Sequence, residues 1–423
     1  MEVTTVCKEL SFTAASHRGS SMKIILVICL FLTSQLVTAS EDKVLKIYHD
    51  SDYSNHNASA RAMFMGMSTA FDEVNNTVQG FQLEIVSKDH RGNSIRSKQT
   101  MQRFLDDPSA LFMMGGLHSP PYIKYRNYIN ENEILLLVPW AAGGPITRYA
   151  DGTNWVFRLS IDDTKAGDTI MDFAASQDCK LPHLLLEDTP WGRSNYNTMS
   201  KASLRNYNSE AEVTWFNWNI NDNAARTIIR PILEGNADCL LFVGNAIEGK
   251  KLFNTINDLK SDDQLKVFSH WGITGGDFET QVSHDLRQRL SLHVLQTCNN
   301  FNDTELSEQY KSVFARAQKL FPDTLTTPNK LQAQTGFIHA YDLGKIVITA
   351  LNSIELSGNV KQDRANLRVA LENLNQPVNG LLKTYNKPFS AWSKDNVDAH
   401  EALGKEDFCL AYYDADNRLL INK

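Results

Sequence analysis

The stretch LFMMGGLHSPPYIKYRNYINENEILLLVPWAAGGPIT, residues 111–147, decides the fold of this chain. It contains a short apolar run, a Gly-Gly turn that opens a helical segment, and a second apolar run that ends in another loop of small residues. In an open parallel sheet, ligands bind at the carboxyl ends of the strands, where small residues expose backbone N–H groups and helix N-termini. Two such loops in succession predict one wall of a cleft for a small molecule.

On both sides of this stretch, short apolar runs alternate with helical segments. We expect strands at 44–48, 81–86, 111–114, 134–138, 184–187, 213–216, 239–243 and 267–269. Helices are expected between them, at 58–75, 94–105, 120–130, 169–176, 192–206, 223–233 and 249–259. Apolar runs of four to six residues between helices are typical of parallel sheets buried on both faces. The pattern predicts an α/β protein with two doubly wound lobes.

The last third of the chain adds helices but too few strands for a third sheet. Helices are expected at 303–320, 331–356 and 363–374, followed by one strand at 408–413. Such helices must dock on sheets already formed, so we expect several hinge crossings between the lobes. The predicted division gives residues 41–160 and 293–375 to lobe 1, and residues 161–292 and 376–423 to lobe 2.

The N-terminal region has the order of a secretory signal peptide. Lys23 precedes nine apolar residues, and Val37-Thr38-Ala39 forms a cleavage site of the A-x-A kind. Residues 22–40 are therefore predicted to be a leader, residues 1–21 an over-extended start, and the mature protein a soluble exported one. A lipid anchor on Cys29 is the disfavoured alternative, because lipid-attachment signals have a small residue where Ile28 stands.

Composition and motifs exclude several classes of function. The 423 residues are 42% hydrophobic and carry a net charge of −7, which is no electrostatic footprint for nucleic acid. The motifs of nucleophile elbows, zinc proteases, P-loops and dinucleotide sites are missing from the sequence. No spacing of Cys and His residues suggests a metal site. We therefore expect no enzyme, no metal and no cofactor, and we keep a secreted hydrolase only as an alternative.

Four cysteines follow the leader, at positions 179, 239, 298 and 409, and they allow three disulfide pairings. Cys179 and Cys239 each begin an apolar strand in the middle of the chain, which could place them side by side. A disulfide between them and two free buried thiols both remain open.

Several motifs, taken in order, resemble the type I periplasmic binding proteins of the leucine/isoleucine/valine-binding kind, the substrate receptors of ABC importers. The resemblance covers nearly everything after Lys43. It is carried by GGLHS at 115–119, ILLLVPWAAGGPIT at 134–147, Phe157-Arg158 followed by Asp162-Asp163, EDTPWGR at 187–193, and Ala340-Tyr341-Asp342. The resemblance implies that a ligand bridges the two lobes and that hinge closure buries it.

The resemblance places the family's ligand contacts at Ser119, Trp140, Ala141, Ala142, Trp191 and Thr274. His118, Trp271 and Asp277 lie beside these positions and complete the set of nine predicted ligand-binding residues. Ser119 matches the serine that holds a ligand carboxylate, and an ordinary helix N-cap is its alternative interpretation. The hydroxyl usual in the second loop is missing at 140–142, and Thr274 stands where amino-acid receptors have an acid. Three Trp residues favour a flat aromatic or apolar ligand, although each could instead be core.

An organic amine held by cation–π contacts is a second ligand class that these residues allow. Asp277 or Asp188 would then supply the counter-charge. The resemblance further implies a monomer that delivers its ligand to an ABC permease. The alternative within binding proteins is a sensor subunit that reports the ligand to a membrane signalling receptor.

Overall fold

The computed structural model describes residues 43–259, 265–298, 301–302 and 307–422. The predicted leader at 22–40, and residues 1–21 before it, lie outside these ranges. Within the described residues, every helix falls short of the length and apolarity that a bilayer span requires.

The first sheet has six strands in the order β2-β3-β1-β4-β5-β6. Its strands are β1 (Val44–Ser51), β2 (Thr77–Val78), β3 (Phe81–Asp89), β4 (Ala110–Gly115), β5 (Leu136–Val138) and β6 (Val156–Arg158). All neighbours are parallel except β2, which pairs antiparallel with β3. The intervening helices are α1 (Asn57–Asp72), α2 (Ser94–Asp106), α3 (Pro120–Lys124) and α4 (Arg126–Glu131). The single helix predicted at 120–130 is two helices, because the backbone leaves helical geometry at Tyr125.

The second sheet has seven strands in the order β15-β14-β11-β10-β9-β7-β8. Its strands are β7 (Pro182–Glu187), β8 (Glu212–Phe216), β9 (Cys239–Val243), β10 (Lys266–Ser269), β11 (His293–Thr297), β14 (Phe408–Tyr413) and β15 (Leu419–Ile421). Its helices are α5 (Asp163–Ser176), α6 (Pro190–Tyr207), α7 (Asp222–Glu234), α8 (Ala246–Asp258), α9 (Phe278–Gln281) and α10 (His284–Arg289). The predicted fold class, two doubly wound α/β lobes, is confirmed.

The last third returns to the first sheet, as its lack of strands predicted. It contains α11 (Glu308–Leu320), α12 (Gln334–Asn352), α13 (Val360–Glu372) and a hairpin of β12 (Val378–Asn379) and β13 (Thr384–Tyr385). Helices α12 and α1 approach so closely that a Cβ at Gly66 would overlap the carbonyl of Phe337. From α13, Arg364 donates to the carbonyl oxygens of Ala110 and Leu111 in β4, at 2.6 and 3.1 Å.

Two of the predicted lobe boundaries are wrong. Residues 293–297 were given to lobe 1, but they form β11, which pairs with β10 and β14 of the second sheet. Residues after 376 were given to lobe 2, yet Asp342 of α12 accepts hydrogen bonds from the backbone N–H groups of Leu381 and Leu382. The chain still runs beside β6 at Ala402, whose N–H donates to the carbonyl of Arg158. The last crossing therefore lies between residues 402 and 408.

A buried ionic cluster connects two of the chain segments that cross between the sheets. Arg158, at the end of β6, donates from Nε and Nη2 to the two carboxylate oxygens of Glu401, both at 2.7 Å. Its Nη2 also lies 2.8 Å from Asp162, the N-cap residue of α5. Arg148 reaches the other oxygen of Asp162 at 2.7 Å. The hydrogen bonds fix where the chain leaves and re-enters the first sheet.

Two disulfides brace the second sheet. Cys179 is joined to Cys239, with their Cα atoms 5.7 Å apart, and Cys298 to Cys409, with theirs 4.9 Å apart. The second disulfide links the end of β11 to β14, its antiparallel neighbour. The structure thus has one of the three pairings that the sequence left open.

Candidate functional site

A small closed cavity lies where the carboxyl ends of strands from both sheets face each other. Its volume is about 10 Å³, close to the space that one water molecule needs. Residues following β4 and β5 form one wall, and residues at the ends of β7, β9 and β10 form the other. Six of the nine predicted positions line it, namely His118, Ser119, Trp140, Ala142, Trp191 and Trp271. Glu187, Asn245, Leu117, Pro120 and Gly272 complete the lining.

Two indoles stack on each other across this cavity. The ring centroids of Trp140, from the first lobe, and Trp271, from the second, are 5.1 Å apart with an interplanar angle of 28°. Both side chains are almost fully buried. Since stacked and offset rings attract each other, this contact joins the two lobes through aromatic faces. A flat ligand that separates the rings would gain a face on each side.

Trp191 stands edge-on to the same space and is held by polar groups behind it. Its Nε1 donates to the carboxylate of Asp163 at 3.3 Å, and His270 approaches the same oxygen at 3.1 Å. The Trp191 and His270 rings meet edge to face, 5.2 Å apart. Because the indole N–H is already used, Trp191 offers the cavity its apolar edge.

Ser119 has a hydroxyl that the fold orients toward the neighbouring loop. Its Oγ accepts a hydrogen bond from the N–H of Gly143 at 3.0 Å, and it makes no capping bond to α3. Ser119 thus stands at the N-cap position of α3 without capping it through its side chain, and its hydroxyl proton is left to donate elsewhere. A Cβ at Gly143 would come within 2.9 Å of the Ser119 Cβ, so the close approach requires glycine.

Glu187 is the acidic residue of the cavity, and sequence reasoning missed it. Its carboxylate accepts from Thr189 Oγ1 at 3.0 Å and from Asn245 Nδ2 at 3.1 Å. Burial raises the pKa of Glu187 to about 8, although these hydrogen bonds favour the charged form. At neutral pH the group is therefore a carboxylic acid, able to donate a proton in a hydrogen bond. The signal in the sequence was a carboxylate directly after the apolar run at 184–186.

Three predicted positions lie away from the cavity. Ala141 is buried in the core around β4 and β5. Thr274 donates from Oγ1 to the carbonyl of Trp271 at 2.8 Å, within its own turn. Asp277 pairs with Lys250 at 2.6 Å, so its charge is already compensated. Asp188, the other acid considered for an amine, pairs with Arg193 at 2.6 Å in an exposed position.

Comparison with known proteins identifies the family. A family model described as periplasmic binding protein matches residues 50–396. Among solved structures, a type 1 periplasmic binding protein from Bordetella pertussis Tohama I has a TM-score of 0.69 at 13% identity, covering 90% of this chain and 99% of its own. A solute binding protein of an ABC transporter from Rhodopseudomonas palustris HaA2, in complex with p-hydroxybenzoic acid, has a TM-score of 0.70 at 15% identity, covering 90% and 96%.

A leucine binding protein from Thermotoga maritima has a TM-score of 0.67 at 13% identity, covering 90% of this chain and 98% of its own. No curated protein sequence matches the chain significantly. The structural likenesses, at these low identities, agree with the two-lobed fold described above. The family model goes further because it spans most of the sequence, and the chain therefore belongs to the periplasmic binding protein family.

Proposed function

We propose that this protein is an extracytoplasmic solute-binding protein that encloses a small carboxylate with an aromatic or bulky apolar body and hands it to an ABC importer. Family membership implies an extracytoplasmic location and a role in solute binding rather than in catalysis. The observation that carries the ligand class is the cavity walled by three indoles and by Ser119. The predicted leader at 22–40 and a periplasmic mature protein belong to this proposal.

The stacked indoles almost fill the cavity, so a ligand must part them to enter. Its volume of about 10 Å³ lies far below the roughly 300–1,000 Å³ of typical small-molecule sites. Solved structures with this fold hold single-ring acids or an amino acid: benzoate and 4-hydroxybenzoate in two proteins from R. palustris, and isoleucine in one from Streptococcus pneumoniae. Single-ring acids fit the stacked indoles better than a branched aliphatic chain does.

The polar groups favour a carboxylate over an amine. Among the described residues that line the cavity, Glu187 is the only acid, and below about pH 8 it is neutral. A neutral carboxylic acid does not repel a ligand carboxylate and can donate to it. The hydroxyl of Ser119, whose oxygen accepts from Gly143, has its proton available for the same purpose.

Ligand binding replaces the contact between the rings of Trp140 and Trp271 with contacts between each ring and the ligand. In the open form the ligand docks on one lobe, and closure brings the indoles of Trp140 and Trp271 against its two faces. The ligand favours the closed form only to the extent that it binds that form better than the open one. No bond in the ligand changes during this cycle.

A thermal-shift and tryptophan-fluorescence titration of the mature chain from Glu41 tests this proposal. We expect benzoate or 4-hydroxybenzoate to raise the melting temperature and change the fluorescence, because a ligand at 100 times its dissociation constant adds about 2.7 kcal/mol. Trp271→Ala should weaken binding at least tenfold, and Trp392→Phe, which lies outside the cavity lining, should not. Binding of leucine without any aromatic acid would refute the proposed ligand class.

The permease partner and the monomeric state are also part of the proposal. A receptor that presents both lobes to a permease has little surface left for a large dimer interface. Size-exclusion chromatography with light scattering should give the mass of one chain. Reconstitution with an ABC permease and its ATPase should give ligand uptake, whereas ligand-dependent activation of a membrane kinase would favour the sensor alternative.

A further inference from the structure

A cluster of histidines surrounds one buried carboxylate at the edge of the cleft, next to the cavity. Oδ2 of Asp52, which follows β1, lies 3.2 Å from Nδ1 of His56 and 3.2 Å from Nε2 of His118. The donor atoms of these three residues all lie within 4.8 Å of one another. From this geometry we infer that Asp52, His56 and His118 form a binding site for a divalent transition-metal ion, of the class of Zn²⁺.

The spacing of the donor atoms is that of a metal's coordination shell. Ligand atoms about 2.0–2.2 Å from a tetrahedral ion lie roughly 3.3 Å apart. Two of the three edges of the Asp52, His56 and His118 triangle are 3.2 Å long. An ion can therefore enter with small movements of the side chains. Three protein ligands leave a fourth position for water or for another group.

The cluster lines a crevice, and two buried ring nitrogens beside it are unused. Among the described residues, no hydrogen-bond partner reaches Nε2 of His56 or Nε2 of the fully buried His90, whose ring lies 5.7 Å from that of His118. Gly92, in a left-handed conformation, covers the cluster without a side chain: a Cβ there would lie 3.4 Å from Asp52 Oδ2. A ligand can thus approach the carboxylate from this side.

The second lobe closes the far side of the same crevice. The ring of Trp218 lies 5.0 Å from that of His118, and the buried carboxylate of Glu248 lines the crevice wall. All three proposed ligands belong to the first lobe, so the site exists in the open form as well. A bound ion would add positive charge opposite Glu248 and favour closure.

The donor types select the class of ion. Two imidazoles and one carboxylate suit Zn²⁺, Co²⁺, Ni²⁺ or Cu²⁺, whereas Mg²⁺ and Ca²⁺ prefer shells of oxygen atoms alone. The other close group of potential ligands in the described residues, Cys179, Cys239 and Asp238, has both sulfurs joined as a disulfide. It therefore offers no thiolate.

Metal titration of the untagged mature protein, first dialysed against a chelator, tests the inference. We expect one equivalent of Co²⁺ to bind with the strong visible absorption of a tetrahedral site, and Zn²⁺ to displace it in calorimetry. Excess Mg²⁺ should not compete. His56→Gln and Asp52→Asn should each weaken Zn²⁺ binding at least tenfold. His284→Gln, on α10 of the second lobe, is the matched control and should leave binding unchanged.

Circular dichroism and the melting temperature show whether each variant is folded. If no Co²⁺ binds to the wild-type protein, the inference is wrong whatever the variants do. It is also wrong if folded His56→Gln and Asp52→Asn proteins bind Zn²⁺ as tightly as the wild type. Because the readout is metal binding alone, either result is independent of whether the cavity takes an aromatic acid.

Discussion

Replacing Arg158 with methionine removes the cation at the centre of the ionic cluster between the lobes. The guanidinium is fully buried and touches Glu401 twice at 2.7 Å, Asp162 at 2.8 Å and the carbonyl of Gly143 at 2.9 Å. The two carboxylates are themselves almost fully buried. Removing one partner of a buried pair leaves an uncompensated charge and costs about 3–5 kcal/mol.

Arg148 lowers this cost because it stays near both acids. It lies 2.7 Å from Asp162 and 3.8 Å from Glu401. We therefore expect Arg158→Met to lose about 3 kcal/mol of unfolding free energy, the lower end of that range. Against a typical total of 5–15 kcal/mol, the loss is large. Urea denaturation followed by circular dichroism, with linear extrapolation, measures it.

A surface arginine provides the control. Arg205 is 47% exposed and pairs with Asp168 and Asp172. Exposed pairs contribute about 0–1 kcal/mol, so Arg205→Met should change the unfolding free energy by less than that. Equal losses for the two variants, or a loss below about 1 kcal/mol for Arg158→Met, would refute the role given to burial here.

Three further predictions concern the cavity and the second sheet. Because burial raises the pKa of Glu187 from 4.5 to about 8, the folded state holds a proton that the unfolded chain releases, and stability should fall as pH rises between these values. Glu187→Gln should flatten that part of a pH series of urea denaturations; an unchanged slope would contradict the assignment. Replacing Cys179 and Cys239 by serine should cost about 2–5 kcal/mol of unfolding free energy, and an unchanged urea midpoint would argue against a structural disulfide. Asp277→Asn should leave ligand affinity unchanged in calorimetry, since this acid pairs with Lys250 outside the cavity; a tenfold loss would place it back in the site.

Hydrophobic periodicity was sufficient for the strands that are buried on both faces. The run CLLFV at 239–243 was predicted with the bounds that β9 has in the structure, since all five of its residues are buried. The strand His293–Thr297 was missed because its sequence, HVLQT, mixes polar and apolar residues. Its Gln296 is buried but bonded to Thr335, a partner that no local pattern reveals.

The candidate site could be predicted from the sequence where a site residue follows a strand. Ser119, Trp140, Trp191 and Trp271 each follow a strand, and the fold brings all four to one cavity. Thr274 was misplaced because the family position was transferred along a turn whose geometry the sequence does not specify.

Local residue spacing does not reveal the histidine cluster. Asp52 and His118 are 66 residues apart and meet only because β1 and β4 are neighbours in the sheet. Such a site cannot be recognised from the spacing of its residues in the sequence, but it follows from the order of the strands.

The stacking contact between Trp140 and Trp271 competes with the binding of a ligand between the two rings. Each ligand must displace an aromatic contact of about 0.5–1.5 kcal/mol before it gains any of its own, which weakens the observed affinity by roughly twofold to tenfold. The same contact discriminates against weak occupants, because solutes that cannot replace it leave the rings together. The contact between Trp140 and Trp271 thus sets a minimum binding free energy that a ligand must exceed to be retained.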